Sequence, residues 1–550
     1  MSFYVPAALL VVGALLVLLR LFNRGGIKHI RGPPSPSFIL GHEAAIAHQE
    51  EAGTLDTQWM KEYGPTWRVR GAFGTDVIMS ADPKAIQHVF QKSGYNYPKK
   101  ESQNFLGWLL AGPGIAAVRG QDHQRQRKIM NPAFSVPQLR SFLPLFQRIA
   151  TKLSNKWKGE LVATGELSLL LNKWLSRATL DVIGEAAFDY NYHSLDDGER
   201  SEISKAYENI FADMSYMPPK AAVLFQASWD YIPVPILKLI RYLPLNPWTR
   251  MRKLNNLFRE YGKQILREQG PDVDTEKKVN SKDVMSILIK ANHSADAKTR
   301  LDDEELSAEM FTLTLAGHET TSATLTFLLY ELARHPEYQE RMRQEIRDVR
   351  AKVAQRGGAE FATEDLDSLT LTNNAIKANC LMICLQETLR FHPIALGLAR
   401  VALKDDVIPL AYPIVSTTGE TIREIPVKAG QIFSASFIGY QRLTEVWGED
   451  ANEWNPDRFF RIDAVKQPAN VGVFANLLTF SAGIRACIGW RFSVLEMQAF
   501  LSELVENFQF DLPKEKVDIQ QAVAGIGMFP AIRGKADQGS AMPLRISLAQ

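Results

Sequence analysis

A single thiol, Cys487, sits in the run Phe480-Ser481-Ala482-Gly483-Ile484-Arg485-Ala486-Cys487-Ile488-Gly489, directly before an apolar segment of helical character. It is one of only three cysteines in 550 residues. Its two flanking glycines permit backbone conformations and close approaches that a side chain forbids. The start of the following helix offers unpaired N–H groups and the positive end of a dipole, both of which favour a charged sulfur. The loop is therefore suited to hold a thiolate against a flat partner, and the rest of the chain must fold so as to leave room for that partner. The plainer alternative is a structural cysteine buried beside a glycine turn.

A thiolate held in this way can be the proximal ligand of a haem iron, where its electron donation favours O–O cleavage. The pattern Phe480-x-x-Gly483-x-Arg485-x-Cys487-x-Gly489 resembles the haem-thiolate signature of the cytochrome P450 family, and the details look like its eukaryotic microsomal, fungal members. Three further motifs follow the family order, so the resemblance spans essentially the whole chain. It implies a mainly α fold, a helical triangular prism with a small β-rich part, and haem with its iron on Cys487. It also implies a monooxygenase that places one oxygen atom of O2 in its substrate. Electrons would come from NADPH through a separate NADPH–cytochrome reductase, because no flavin or nicotinamide domain is legible in this chain. The substrate implied is small and lipophilic, a terpenoid-like molecule or another secondary metabolite. Two other readings stand beside this one. One is a haem-thiolate isomerase or dehydratase that needs no reductase. The other is a non-catalytic haem protein, a sensor or electron carrier, which would need a second axial side chain, with His318 the nearest histidine.

Composition fits one large globular unit, at 46% hydrophobic and 23% charged residues. A formal net charge of +2 carries no footprint for nucleic acid. Three cysteines cannot form a disulfide framework, which suits a reducing compartment. Residues 3–19 are uncharged and almost wholly apolar, near the minimum for spanning a bilayer. Arg20, Arg24, Lys28 and Arg31 follow them and no Lys or Arg precedes them, which places the bulk of the chain on the cytosolic side. A cleaved signal peptide is the rival, but the segment lacks a basic start and a small-residue cleavage site. The expected layout is a membrane anchor over 1–22, a basic, proline-rich hinge over 23–40, and a haem domain over 41–550. This predicts a single-pass protein of the endoplasmic reticulum membrane facing the cytosol, with membrane lipid as a partner. That topology also makes the sequon Asn292-His293-Ser294 a chance match.

Along the chain, Trp67–Arg70 and Val77–Met79 predict a hairpin, and Asp82-Pro83 predicts a helix start. Residues 137–187 read as mostly helical. The Met-, Pro- and aromatic-rich stretch 211–248 reads equally as irregular core or as an apolar loop at the membrane. Asp302 or Asp303 should cap a long helix ending near His335, ahead of Pro336. Strands and loops are expected over 400–432, and short strands over 523–549.

The long helix carries Ala316-Gly317-His318-Glu319-Thr320-Thr321. Small residues at 316 and 317 would let a flat cofactor approach, and the glycine would let the hydrogen-bond ladder open and hold water. Thr320 can then hold a water or an oxygen, and Glu319 can supply protons toward it. Taken alone, the motif reads as a glycine kink with a solvated pair, whereas beside Cys487 it resembles the family's oxygen-activation motif. Glu387 and Arg390 share one helix face at i and i+3, and Trp454-Asn455-Pro456-Asp457-Arg458-Phe459 resembles the family's Pro-Glu-Arg-Phe element. The resemblance implies a buried structural network of Glu387, Arg390 and Arg458 that supports the cysteine loop.

By resemblance, Arg400 and Arg485 are partners for the haem propionates, and Phe480 and Gly483 of the cysteine loop also bind the cofactor. His123 and Arg127, four residues apart on one helix face, form a third group, with His123 where the family usually has Trp. The basic run Arg125, Arg127 and Lys128 could instead be a solvated face, or dock an acidic reductase. Cys380 and Cys384 read as core. Candidate pocket residues are the 104–117 loop, Phe311, Thr312, Leu315, Ala316, residues 394–398, Gly527, Met528 and Phe529, any of which could equally be ordinary core.

Overall fold

The computed structural model describes residues 26–550, except 197–204, 206–215, 243–248, 250, 251, 254, 261–282, 295–299, 359, 363, 366–378, 462–466 and 526. The expected anchor over 1–22 and the first part of the hinge lie outside the described residues. Among the described residues, no helix is long and apolar enough to cross a membrane.

Seven helices position the site: α1 (Gly120–Met130), α2 (Leu143–Thr164), α3 (Leu171–Phe188), α4 (Asp303–Arg334), α5 (Pro336–Gln355), α6 (Cys380–Phe391) and α7 (Trp490–Asn507). The long helix α4 starts as the sequence predicts. Asp302 accepts from the Glu305 amide while Glu305 reaches back to the Asp302 amide, a reciprocal capping box. It ends at His335, and Pro336 opens α5. Its closest neighbour is α3. Gly317 meets α3 there, and a Cβ on it would stand 2.8 Å from Ile183. Thr179 of α3 donates to the His318 carbonyl at 3.0 Å. Gly317 is thus small so that two helices can touch, and the expectation that it admits a cofactor is corrected: Ala316 alone of the pair faces open space. Helix α2 packs on α7 through the rings of Phe142, Phe146 and Phe492, centroids 4.9–6.3 Å apart.

Strands form small sheets at the edge of the helical body. β1 (Thr66–Arg70) and β2 (Asp76–Ser80) make the predicted hairpin, with Trp67 opposite Met79. The other two members of that sheet are β4 (Gly397–Val401) and β7 (Ile432–Ser436), in the order β1-β2-β7-β4. Here β2 and β7 run parallel, and β4 runs antiparallel to β7 with Arg400 opposite Phe433. The hairpin β5 (Asp406–Val415) and β6 (Thr421–Val427) loses register between Pro409 and Ile414. Asp82 compensates. Besides capping the helix that begins at Pro83, its carboxylate accepts from the amides of Ala411 and Tyr412 at 2.8–3.0 Å. Strand β3 (Leu167–Leu170) falls inside the stretch expected to be helical, and is held by β11 (Pro543–Leu548), which also pairs with β8 (Phe508–Asp511). β9 (Ile519–Ala524) and β10 (Gly527–Ile532) complete the predicted C-terminal strands.

Two expectations about loops change. Residues 104–111 are not loop: they belong to a helix, Glu101–Ala111. Its Phe105 and Leu109 pack with Trp229, Leu237 and Ile240 in a satellite core. The described part of that stretch, 216–242, divides accordingly, with Val223 and those three residues buried and Phe225, Ile236, Leu239 and Tyr242 exposed. Asn292 of the sequon is engaged by its own fold, its amide group bonding both ways with the Leu301 backbone.

Candidate active site

The cysteine loop follows from its glycine. Gly483 has φ +64°, and a Cβ there would lie 1.9 Å from the Phe90 carbonyl oxygen, so only glycine closes the turn. Phe480 is buried, its ring 6.1 Å from that of Phe474 and 6.5 Å from that of Trp490. Its carbonyl accepts from the Cys487 amide at 2.8 Å. Cys487 is wrapped deeply enough that burial raises its thiol pKa, yet part of its surface is accessible. Both hold for a residue that opens into a cleft within the fold. The Gly489 amide and the Arg127 guanidinium pull the pKa down, but burial outweighs them. Burial therefore outweighs the expected local stabilisation of a thiolate, and a cation bound directly to sulfur would favour its ionised form.

Behind the loop stands the predicted network. Glu387 accepts from Arg390 at 2.7 and 2.8 Å, from Arg458 at 3.2 and 3.3 Å, and from the Asn455 amide at 2.7 Å. All three charged side chains are fully buried. Arg390 also donates to the carbonyls of Gln441, Ala451 and Glu453. Arg458 donates to the Trp447 and Asp450 carbonyls and to the Asp450 carboxylate. Asp450, which sequence reasoning missed, is a fourth member. Burial opposes its ionisation, but Arg461, Arg458 and Asn455 hold it below the usual carboxylate range. Gln441, also missed, joins this network to the loop. Its amide NH2 donates to the carbonyls of Leu389 and Arg390, and its oxygen accepts from the Leu478 amide and the Thr479 hydroxyl.

Across the cleft lies one stripe of α4. At about 100° per residue, Thr312, Ala316 and Thr320 fall within about 40° of one line. Ala316 and Thr320 are exposed although the helix around them is buried. Thr320 donates to the Ala316 carbonyl at 2.8 Å, and α4 runs unbroken through the motif, so the expected opening of its ladder is not seen. Thr321 bonds Ser493 of α7 at 2.9 Å, which sets this stripe beside the helix that follows Cys487. Glu319 flanks the stripe, and His318 points the opposite way, fully buried with Nδ1 on the Thr314 carbonyl. That orientation takes His318 out of the role of second axial ligand in a two-ligand electron carrier.

Phe311 is corrected. It lies about 140° round the helix from Ala316 and packs edge-on against Phe258 in the core, centroids 5.3 Å apart. Met528 and Phe529 are likewise buried, Phe529 against Tyr216. Thr312 and Leu315 are half-buried, as are residues 394–398 and Gly527, which bridges Ala395.

The third side of the cleft is cationic. His123, Arg127, Arg400 and Arg485 converge from α1, β4 and the cysteine loop, and Lys99, which the sequence reading did not single out, joins them. Burial first, then neighbouring positive charge, pushes Lys99 down to about 7, His123 to about 3 and Arg400 to about 10, and burial brings Arg485 to about 10 against the opposing pull of Tyr95. Among the described residues, none of these groups pairs with a carboxylate. Arg485 donates to the carbonyls of Ile115 and Val118, Lys99 to that of Ala116, and Arg127 to that of Ala486. His123 pairs with the Tyr95 hydroxyl at 3.0 Å. Arg400 lies 4.4 Å over the Phe90 ring with Nη2 buried and unpartnered. The reading of Arg125 and Arg127 as an outer basic face is corrected too: Arg125 pairs with Glu305 of α4, Arg127 turns inward, and only Lys128 is exposed.

This donor set fits haem. Cys487 offers a soft sulfur ligand to iron, and the buried cations suit two propionates. Haem bound there supplies the activation of O2. The chain's residues hold the sulfur, neutralise the carboxylates, and set a hydroxyl and a carboxyl on the opposite wall. Cys380 and Cys384 are buried, sulfurs 3.9 Å apart, as expected of core residues. Among the described residues, no cluster of three or more His, Cys, Asp or Glu could hold another metal.

Comparison with known proteins agrees with this geometry. The cytochrome P450 family model matches residues 31–531. Cytochrome P450 monooxygenase 128 of Postia placenta is 31% identical over 94% of this chain and 92% of its own length. Ganoderic acid synthetase CYP5150L8 of Ganoderma lucidum is 30% identical over 91% of each. Cytochrome P450 monooxygenase claQ of Ampulloclitocybe clavipes is 29% identical over 96% of this chain and 94% of its own. With the thiolate loop, the buried glutamate–arginine network and the cationic cradle in place, the chain belongs to the cytochrome P450 family and is a haem-thiolate monooxygenase.

Proposed function

We propose that this enzyme oxidises a lipophilic, terpenoid-like secondary metabolite, using electrons from NADPH delivered by a separate membrane reductase. The carrying observation is the wall opposite Cys487. Its accessible side chains are Ala316 and Thr320, beside half-buried Thr312 and Leu315 on the same helix. Such a surface rewards apolar contact and offers few fixed polar anchors. A relative named for ganoderic acid synthesis adds support.

The protein acts at the endoplasmic reticulum membrane, with residues 1–22 as its anchor and the haem domain in the cytosol. An apolar outer face supports this. Phe38, Leu239 and Tyr242 are 80%, 61% and 69% exposed. The 38–39 segment and the 216–242 segment meet through Phe73, whose amide bonds the Ile39 carbonyl and whose ring packs on Tyr231. Exposed apolar side chains gathered just after a hydrophobic N-terminus suit contact with lipid.

The test is product analysis in membranes co-expressing the chain with a reductase, given NADPH and a panel of terpenoids and fatty acids. A product gaining one oxygen from a terpenoid, absent with Cys487→Ala and absent without reductase, is expected. Oxidation of fatty acids only would overturn the substrate class. Turnover without reductase would overturn the electron route and favour the isomerase or dehydratase reading.

A further inference from the structure

The segment that carries the exposed apolar residues also borders a cationic recess. Arg241, Arg252, Arg259, Asn255, Asn256 and Tyr242 line it, around a volume of about 240 Å³. Arg252, Asn255, Asn256 and Arg259 recur at i, i+3, i+4 and i+7, the spacing of one helix face. Arg241 comes from the 216–242 segment and is stacked over the Trp108 ring, its Cζ 5.0 Å from the centroid. Lys238 lies over the same ring at 4.9 Å. Arg252 donates to the Arg241 carbonyl and to the Thr249 hydroxyl, which ties the two contributing segments together. Arg259 pairs with Glu304 at the start of α4, 3.1 Å away, in an exposed contact of little strength. Glu304 itself belongs to the neighbouring recess beside Trp108 and Ala308. Among the described residues, no carboxylate lines the arginine recess and none pairs with Arg241.

We propose that this recess binds the phosphate of an anionic phospholipid, with the acyl chains lying on the apolar side chains beside it. Guanidinium groups suit phosphate because their planar N–H forks match its oxygens in pairs. Three of them around one cavity hold positive charge that a phosphate neutralises. Asn255 and Asn256 can donate to phosphate or glycerol oxygens from the same helix face. The rim selects an amphiphile over a soluble anion. Ile236, Leu239 and Tyr242 are exposed, and Leu239 and Tyr242 stand within two residues of Arg241. A soluble phosphate gains nothing from them, whereas a lipid buries acyl surface there. Basic pockets at a membrane surface recognise anionic headgroups by this combination. The site rests on the reading of this face as a membrane contact, and adds to it a defined headgroup and the residues that hold it.

The test uses the full-length, haem-loaded protein in a neutral detergent, with bound lipid counted by native mass spectrometry. Phosphatidylglycerol, phosphatidylcholine and inorganic phosphate are the probes. The expected result is retention of a single phosphatidylglycerol, poor retention of phosphatidylcholine, and no displacement by inorganic phosphate at equal concentration. Arg241→Gln and Arg259→Gln should each weaken phosphatidylglycerol binding about fivefold. Their carbon monoxide spectra should stay intact, which shows that the haem domain is folded. Arg423→Gln removes an exposed charge from β6 and should change nothing. Equal retention of phosphatidylcholine, or unaltered binding in both recess variants, would overturn the site. So would an equal loss in Arg423→Gln, which would mean diffuse attraction to a charged surface. Displacement by equimolar inorganic phosphate would make the recess a soluble-phosphate site and overturn the lipid assignment. Fractionation of cells expressing the chain is scored separately. A chain found in the soluble fraction overturns the membrane reading, whereas a membrane-bound chain without headgroup preference overturns this site alone.

Discussion

The Thr479 hydroxyl donates to the Leu389 carbonyl at 2.6 Å, joining the residue just before Phe480 to the one just before Arg390. The cysteine loop and the buried charge network are thereby one structural unit. Removing a charge from the network should release the sulfur as well as destabilise the fold.

Glu387→Gln leaves Arg390 and Arg458 buried without their counter-charge. Breaking a buried pair in this way costs about 3–5 kcal/mol. Denaturant unfolding should show that loss, and the fraction of chain retaining haem should fall in parallel. A stable variant with full haem content would disprove the coupling.

Gly483→Ala forces a side chain onto the Phe90 carbonyl and strains a left-handed backbone position. The expected outcome is protein with little or no haem, read as the ratio of cofactor absorbance to protein. Gly489→Ala is the control. Its φ is −88° and its nearest neighbour, the Phe134 ring, lies 3.9 Å away, so haem content should stay close to normal.

His123 titrates at about 3 in the fold, because burial and then Arg485, Arg127 and Lys99 disfavour its charged form. In the unfolded chain it titrates near the ordinary value of about 6.5. Between these limits the unfolded state binds more protons, so stability falls as pH drops from 6.5 toward 3. Thermal melts of the haem-free protein should show His123→Gln losing a few degrees less than the native chain between pH 7 and pH 4. With haem bound, propionate charge beside the ring should shrink that difference.

Thr320→Val removes the hydroxyl from the cleft wall while keeping the helix. NADPH should still be consumed, but product per NADPH should fall, on the order of tenfold or more if the hydroxyl takes part in proton transfer. The variant's haem content and melting temperature should match the native protein.

Much of this site could be read from sequence because its key residues are local signals. Cys487, Gly483 and Phe480 sit within eight residues, and Glu387 and Arg390 are one helical turn apart. What could not be read was orientation and long-range convergence. Phe311 belongs to the right helix but to its core side. Gly317 is small for the sake of Ile183 on a neighbouring helix. Lys99 and Gln441 carry no local signature, because their partners lie in other parts of the chain. The 104–111 helix was misread as loop, since its apolar residues serve a small separate core with Trp229.

Arg485 reaches the Val118 carbonyl across 367 residues of chain. At synthesis rates of about 5–20 residues per second, roughly 20–70 s pass between the emergence of the two. For nearly all of that interval Lys99, His123 and Arg127 have left the ribosome, while the loop that binds iron has not. Cofactor capture in this protein is therefore a late event in biogenesis, and a ribosome that stalls before Cys487 yields a chain bearing half of a haem site.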